Sequence, residues 1–514
     1  MSILPSKNSD SHSNTLAISA VFTPLEWAIF AIEKYNLFEK WLQGATIFDP
    51  TMGEGNLLEA FLKIAQDKGY DLTTLPLNNL FGVELNKQFF HNFFEKIYTK
   101  YNIKLPIDNF MNDDIFFLKH ETIYDIIISN PPWQNFNDLP SEYKDSIKHL
   151  FFDYDLITNA KDMLLGGSRI DIAALVLQKV VAKNMKEDGE GIFFTPLSLL
   201  LNDGAHTTFR NYKVHTTPYY IDEVFDFNNA HIFEGIATRY GLLHLQRDTA
   251  QQFPIHYHRW EETTWKSYKA KPLLHTNNPL SIYAPDEEVG LDNLPIIHLP
   301  KASTPRQGVN TCGANHIFFF DSYKELDKEY CEVGNAKVGT HLLPTQYVYP
   351  LVTSKNFQTT TKDVAQKWVL LPYSPTDASP LTPEVLQTIT SLNDYLRQFK
   401  SLLENRKGTL INVPIKKGIW WALLGVGKYN FFPYKIMWEA YGKSEFKPQL
   451  FAGKWQANQS LQAYIPLQTD KEAQTTLALL QNQQIENYLL SLKMEGTMNW
   501  AQPGKIKKLI RFQE

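Results

Sequence analysis

At 514 residues, with 43% hydrophobic and 20% charged residues, the chain is long enough for about three domains and apolar enough for sizeable cores. Its two cysteines, Cys312 and Cys331, exclude a disulfide framework and a Cys-x-x-Cys metal pair, and its histidines lack ligand spacing, so no metal and a reducing cytoplasm are expected. The net charge of −5 is a mild objection to phosphate binding, so the distribution of charge matters more than its sum.

Residues 1–20 are polar and serine-rich with no apolar signal core, and read as a flexible tail. No uninterrupted apolar stretch approaches membrane-spanning length, so a soluble, cytoplasmic protein with no membrane partner is expected. After Phe22-Thr23-Pro24, Ala45 to Phe48 reads as a short buried strand, followed by Asp49-Pro50-Thr51-Met52-Gly53-Glu54-Gly55-Asn56 and a helix from Leu57. Two alternate glycines after a strand allow a tight turn where backbone approaches a ligand closely. The loop lacks the third glycine of a dinucleotide fingerprint and the Lys-Ser/Thr of a P-loop. The next strand, Leu80 to Val83, ends in Glu84 before a helical pattern from Asn86 to Tyr101, and an acidic residue there is placed to bind both hydroxyls of a ribose. In Asn112-Asp113-Asp114-Ile115-Phe116, a carboxylate could accept from an adenine amino group while Ile115 packs on the purine. Taken singly, each of these is also an ordinary turn or strand cap.

The apolar run Ile126-Ile127-Ile128-Ser129 then delivers Asn130-Pro131-Pro132-Trp133. An exocyclic amine shares its lone pair with its ring, so it needs acceptors that draw its N–H bonds out of plane. The Asn130 side-chain oxygen and the adjacent Pro131 carbonyl are two such acceptors, and the prolines stiffen the loop without competing donors. Trp133 offers a flat face on which an extruded base could stack, worth roughly 1–3 kcal/mol. Read alone, the tetrapeptide is equally a Pro-Pro turn beside a core tryptophan.

Asp171 to Met185 carries an amphipathic helical pattern, Gly189-Glu190-Gly191 turns the chain into a strand from Ile192 to Pro196, and further strands run from Tyr219 to Phe227 and from Gly235 to Leu245. Helices alternating with apolar strands predict an α/β, doubly wound sheet whose ligands gather at strand carboxyl ends. From 247 to 300 the periodicity fades, which suggests a crossover between domains. Beyond it, Arg306 to Phe318 alternates turn residues with a closing strand, Tyr349 to Val352 and Pro433 to Trp438 read as strands, and Thr382-Pro383 opens a helix expected to reach Lys407. Between Lys400 and Lys454 ten basic residues, Lys443 among them, face three acidic ones and interleave with Trp420, Trp421, Tyr429, Phe431, Phe432, Tyr434 and Trp438. That pattern suits a DNA face bearing Arg406, Lys407, Lys416, Lys417 and Lys435, although a solvated surface over an aromatic core reads similarly. Gly425-Val426-Gly427-Lys428 is no phosphate loop, because its first glycine is missing and Tyr429 replaces the hydroxyl residue.

In this order, Phe22-Thr23-Pro24, the Asp49 to Gly55 loop, Gly82-Val83-Glu84, Asp114-Ile115-Phe116 and Asn130-Pro131-Pro132-Trp133 resemble the successive motifs of the gamma-class DNA adenine N6-methyltransferases. The resemblance covers the first half of the chain specifically and the second half loosely. It implies a Rossmann-like methyltransferase domain at 21–246 using S-adenosylmethionine, then an α+β target-recognition domain at 301–514. It further implies that Thr23 and Pro24 flank the methionine end of the cofactor, that the loop with Asp49, Pro50, Thr51, Gly53 and Gly55 wraps it, that Glu84 takes the ribose, and that Asp114 and Ile115 hold the cofactor adenine. Asn130, Pro131, Pro132 and Trp133 become the catalytic loop, and Phe233 joins Trp133 in the base pocket. Trp133 departs from the tyrosine or phenylalanine commoner there, which keeps a stacking face and removes a phenolic hydroxyl. The implied partner is double-stranded DNA, with a separate restriction endonuclease or defence-complex subunit beyond it. A methyltransferase of protein glutamine or RNA, a DNA-recognition subunit without catalysis, and a fused restriction enzyme are the rivals; the last needs a nuclease region that the short stretch before Thr23 is not expected to hold.

Overall fold

The computed structural model describes residues 21–118, 122–158, 170–202, 204–227, 230–233, 236, 238–286, 294–355, 357, 364–440, 445–459, 462–492 and 501–513. The tail at 1–20, Gly235 and Lys443 lie outside the described residues. The chain divides into two units, 1–288 and 289–514.

The first unit is built on one sheet with eleven described strands. These are β1 (Ile47–Asp49), β2 (Leu80–Val83), β3 (Phe110–Met111), β4 (Tyr124–Ser129), β5 (Met185–Pro196), β6 (Lys213–Val214), β7 (Thr217–Asp226), β8 (Tyr240–Arg247), β9 (Ile255–Glu261), β10 (Thr264–Pro272) and β11 (Leu280–Tyr283). Their order is β11-β10-β9-β7-β8-β5-β4-β1-β2-β3, with β6 paired to β7. Strands β3, β2, β1, β4 and β5 run parallel, whereas β8 enters antiparallel between β5 and β7. Central parallel strands need apolar residues on both faces, and Ile47, Phe48, Ile127 and Ile128 are fully buried. The expected α/β sheet is therefore present, and its order reverses between β1 and β4, where such sheets open a crevice.

Five helices matter for the site: α1 (Leu25–Lys34), α2 (Asn56–Asp67), α3 (Lys87–Tyr101), α4 (Ser141–Ile147) and α5 (Ile172–Lys183). Helix α3 starts where the Asn86 side chain accepts from the Gln88 and Phe89 amides at 2.8 and 3.2 Å, and it stops at Asn102, which has φ 53°. Helix α5 is buried nearly all round, Gln178 and Lys179 included, so it is a core helix rather than the amphipathic one expected.

The stretch expected as a crossover, 247–300, instead contributes β9, β10 and β11 to this sheet. Strands β9 and β10 are half-exposed and alternate weakly, which hid them, yet they pair in register with Trp260 opposite Trp265 at a ring separation of 5.1 Å.

The second unit is α+β. A three-stranded sheet places Tyr434–Glu439 between Gln449–Ala452 and Gln462–Leu467, and Ile297–Pro300 pairs in parallel with Ile510–Gln513. The single helix expected from Thr382 to Lys407 is broken into Pro383–Thr388, Thr390–Arg397 and Lys400–Glu404. The β-branched run Thr388-Ile389-Thr390 disfavours a continuous helix, and the Thr388 hydroxyl donates to the Val385 carbonyl at 2.7 Å.

Candidate active site

The carboxyl ends of β1, β2 and β4 converge on one cavity. From Asp49 the chain folds into a tight turn: the Thr51 amide donates to Asp49 Oδ1 at 3.1 Å, the Met52 amide to the Val83 carbonyl at 2.9 Å, and the Gly55 amide to the Met52 carbonyl at 2.7 Å. Gly53 and Gly55 have φ of 57° and 72°, a region open to glycine. A Cβ at Gly53 would stand 2.9 Å from the Phe22 ring, and one at Gly55 only 2.1 Å from the Phe93 ring. Glu84 ties this turn to the next loop, since its Oε2 accepts from the Gly53 amide at 2.8 Å and its Oε1 from the Asn86 amide at 2.6 Å. Burial holds the Glu84 carboxyl above its usual range.

Two polar atoms at this cavity stand out. Asp49 is 1% exposed, and its Oδ2 has no hydrogen bond among the described residues. Burial pushes its pKa up to about 8, against the Thr51 amide and nearby Ser129 hydroxyl, which favour the charged form; Glu84 adds repulsion. Thr23 Oγ1 is likewise buried without a partner, while the Thr23 carbonyl accepts from Asn56 Nδ2 at 2.9 Å. A buried carboxylate oxygen and a buried hydroxyl left unsatisfied are costly, and both residues line the same cavity. Together they match a ligand end that carries both an ammonium and a carboxylate.

Further along the cavity, Asp114 Oδ1 accepts from the Phe116 amide at 2.8 Å and Oδ2 from the Tyr143 hydroxyl at 2.7 Å. Burial raises its pKa. Both oxygens are thus engaged within the protein, and any ligand amine would use their remaining lone pairs. Tyr143, on α4, has no counterpart in the sequence reading.

At the end of β4, Asn130 Nδ2 donates to the Val21 carbonyl at 2.8 Å. That contact requires the amide nitrogen, so it fixes the amide orientation and leaves Oδ1 as the acceptor. Trp133 is braced on three sides: its Nε1 donates to the Phe194 carbonyl at 3.1 Å, Tyr240 stacks on it at 5.1 Å with an interplanar angle of 26°, and Phe233 meets it edge-on at 4.9 Å. The Tyr240 hydroxyl in turn accepts from the Phe233 amide at 3.3 Å. Tyr240 was not foreseen; its place at the head of the apolar strand β8 was the available signal.

The cavity wall therefore gathers Thr23, Asp49, Pro50, Thr51 and Gly53 with Glu84, Asp114, Ile115 and the whole Asn130 to Trp133 loop. Three expected residues stand behind the wall: Pro24 precedes α1, Gly55 precedes α2, and Phe233 supports Trp133. In the second unit, Lys407, Lys416 and Lys417 are exposed as expected. Arg406 and Lys435 require correction. Arg406 is 6% exposed and donates to the carbonyls of Leu403, Thr311 and Trp420, so it holds a core together. Lys435 is fully buried, donates to the Phe432 carbonyl at 2.9 Å, and is pushed down to about 7 by burial and by Lys454. Neither presents a cation to a phosphate. Among the described residues no helix is long and apolar enough to cross a membrane, and no group of three or more His, Cys, Asp or Glu is placed to hold a metal.

No curated protein matches the chain. Among solved structures, the type IIL restriction-modification enzyme MmeI in complex with DNA is 13% identical over 96% of this chain and 67% of that one, with a TM-score of 0.52. The type IIG restriction endonuclease BpuSI is 13% identical over 95% of this chain and 58% of its own, at a TM-score of 0.41. A class I S-adenosylmethionine-dependent methyltransferase from Listeria monocytogenes is 15% identical over 47% of this chain and 66% of its own, at 0.34. The chain spans two thirds or less of most of these relatives, and at 13% identity the likeness to MmeI is one of fold. Residues 36–233, which hold most of the cavity, match the Eco57I restriction-modification methylase family.

Proposed function

We propose that the chain methylates the exocyclic amine of an adenine extruded from duplex DNA, with S-adenosylmethionine as donor. The observation that carries this reading is the meeting of two features in one cavity: Asp49 Oδ2 and Thr23 Oγ1, buried without a partner among the described residues, at one part of the wall, and an Asn130 amide whose nitrogen is tied to Val21 and whose oxygen remains the acceptor at another. The residues fit the cofactor: Asp49 takes its ammonium, Thr23 its carboxylate, Glu84 its ribose, and Asp114 with Ile115 its adenine. When bound, the cofactor supplies an activated methyl group.

The chain's own part is positional. Asn130 Oδ1 and the Pro131 carbonyl accept the two N–H bonds of the target amine and draw its lone pair out of conjugation. Trp133 presents the face not covered by Tyr240 to the extruded base, which offsets a flipping cost of a few kcal/mol. Holding amine and methyl carbon in line supplies about 7–11 kcal/mol of rate acceleration. Exposed lysines of the second unit, Lys407, Lys416 and Lys417, bind the DNA backbone.

Asn130→Ala tests this directly. It should lower methyl transfer to DNA by at least about a thousandfold, in proportion to the positioning it removes, while cofactor affinity by calorimetry changes less than about threefold. A variant that keeps most of its activity removes the mechanism, and transfer to RNA or protein in place of DNA removes the substrate assignment.

A further inference from the structure

The second unit holds a recess whose wall includes Pro305, Arg306, Gln307, Gly425, Tyr429 and Gln502. Its chemistry is set by Arg306. The guanidinium lies 4.6 Å from the centre of the Tyr429 ring, and among the described residues no carboxylate pairs with it. Arg306 is exposed, yet its main chain is fixed on both sides: its amide donates to the Tyr464 carbonyl at 2.8 Å, and the Tyr464 amide donates back at 3.0 Å. The segment that follows is equally constrained. A Cβ on Gly308 would stand 2.2 Å from the Asn458 carbonyl oxygen, and one on Gly425, where φ is 73°, would stand 2.7 Å from the Gly308 oxygen. Backbone packs on backbone there, so the base of the recess cannot drift. A planar charge set against an aromatic ring on an anchored main chain, with no carboxylate partner among the described residues and with Gln307 and Gln502 on the same wall, suits an oxyanion.

We propose that this recess seats one phosphate of the DNA backbone, with Arg306 as its ligand and Tyr429 holding the guanidinium plane. The inference rests on the reading of the chain as a DNA methyltransferase. The alternative ligand, a base edge, is disfavoured by shape. Base edges lie at the floor of a groove and are reached by protruding elements such as a helix or a β-ribbon. A phosphate projects from the duplex and can enter a hollow such as the one Arg306 lines. A backbone contact fixes register without reading sequence.

The test uses the full chain and a panel of duplexes of differing sequence, with affinity measured by fluorescence anisotropy between 50 and 200 mM salt. Arg306→Ala should weaken every duplex by a similar factor, roughly tenfold to a hundredfold for a charged hydrogen bond, and reduce the slope of log K against log salt by about 0.9. Arg306→Lys should restore that slope while leaving part of the affinity loss, because the charge returns without the fork. A loss confined to duplexes that differ at one base pair would make Arg306 a base reader and overturn the proposal. Unchanged affinity and slope in Arg306→Ala would overturn it as well, and leave the methyltransferase reading intact. If the wild-type chain shows no salt-dependent binding to any duplex, that reading fails and the recess loses its ligand with it.

Discussion

Under the proposed function, Asp49 links cofactor binding to pH. Its folded pKa of about 8 lies well above the ordinary 3.8, with burial as the main cause. In the ligand-free chain the group is therefore roughly 1% ionised at pH 6 and 10% at pH 7. A ligand ammonium docking at Oδ2 favours the carboxylate, so binding must expel close to one proton across this range, and affinity should rise by up to about tenfold per pH unit between pH 6 and 7. The gain levels off near pH 8, where an α-ammonium with a pKa of about 8 begins to lose its own proton. Isothermal calorimetry at pH 6.5 in two buffers of different ionisation enthalpy reads the proton directly. Asp49→Asn should bind more weakly, release no proton from this site and lose most of the slope. The stability of the free chain runs the other way. An acid whose folded pKa is raised makes the folded state the stronger proton binder between about 3.8 and 8, so its contribution is lost as pH climbs through that window, at up to about 1.4 kcal/mol per unit. Asp49→Asn should therefore become more stable relative to wild type from pH 5 to pH 8. Equal binding enthalpies in the two buffers, together with an unchanged pH slope in Asp49→Asn, would refute the assignment of Asp49 to the ammonium.

Two further perturbations separate local strain and surface charge from the rest. Gly55→Ala combines a left-handed backbone, which costs about 1–2 kcal/mol, with overpacking against Phe93 of about 1–3 kcal/mol, and should lower the free energy of urea unfolding by roughly 2–5 kcal/mol. Gly69→Ala is the control, since φ there is also positive at 76° but nothing stands within 4 Å of the new Cβ, and only the strain part should appear. Equal losses at the two glycines would show that the Phe93 contact relaxes at no cost. Replacing Lys416 and Lys417 together by alanine should reduce the salt slope of DNA binding by about two, at nearly constant thermal stability; a slope unchanged from wild type would take these lysines off the DNA.

The part of the site that the sequence disclosed is the part carried by strand ends. Asp49, Glu84 and Asn130 lie far apart in the chain, yet each directly follows or closes an apolar run, and parallel β1, β2 and β4 bring such positions to one edge. What it withheld depends on contacts across the fold. Val21 supplies only a carbonyl to Asn130, and a backbone atom leaves no mark in side-chain patterns. Tyr143 reaches Asp114 from a short helix with no motif. Arg406 and Lys435 show why composition misleads: a cation counts the same whether it faces water or carbonyls. Lys435 did carry a warning, because it sits among Tyr434, Ile436, Met437 and Trp438 in a strand buried on both faces.

The segment from Val21 to Thr23 bears on how two binding sites could keep register. The Val21 carbonyl orients the Asn130 amide, Phe22 closes over Gly53 and meets Phe89 edge-on at 5.0 Å, and the Thr23 hydroxyl, without a partner among the described residues, lines the cavity. Three consecutive residues thus touch the Asn130 amide, the glycine turn and the proposed amino-acid end of the cofactor. In-line transfer tolerates displacement of only about 1 Å between reacting atoms. Had the two sites been coupled solely through the sheet, each strand's small shifts would add to that error. Coupling them through adjacent peptide units, whose dimensions are fixed by covalent geometry, removes most of it. Under the proposed function, Val21 to Thr23 ahead of α1 set the spacing between donor and acceptor, and Gly53 beneath Phe22 must stay free of a side chain for that segment to seat.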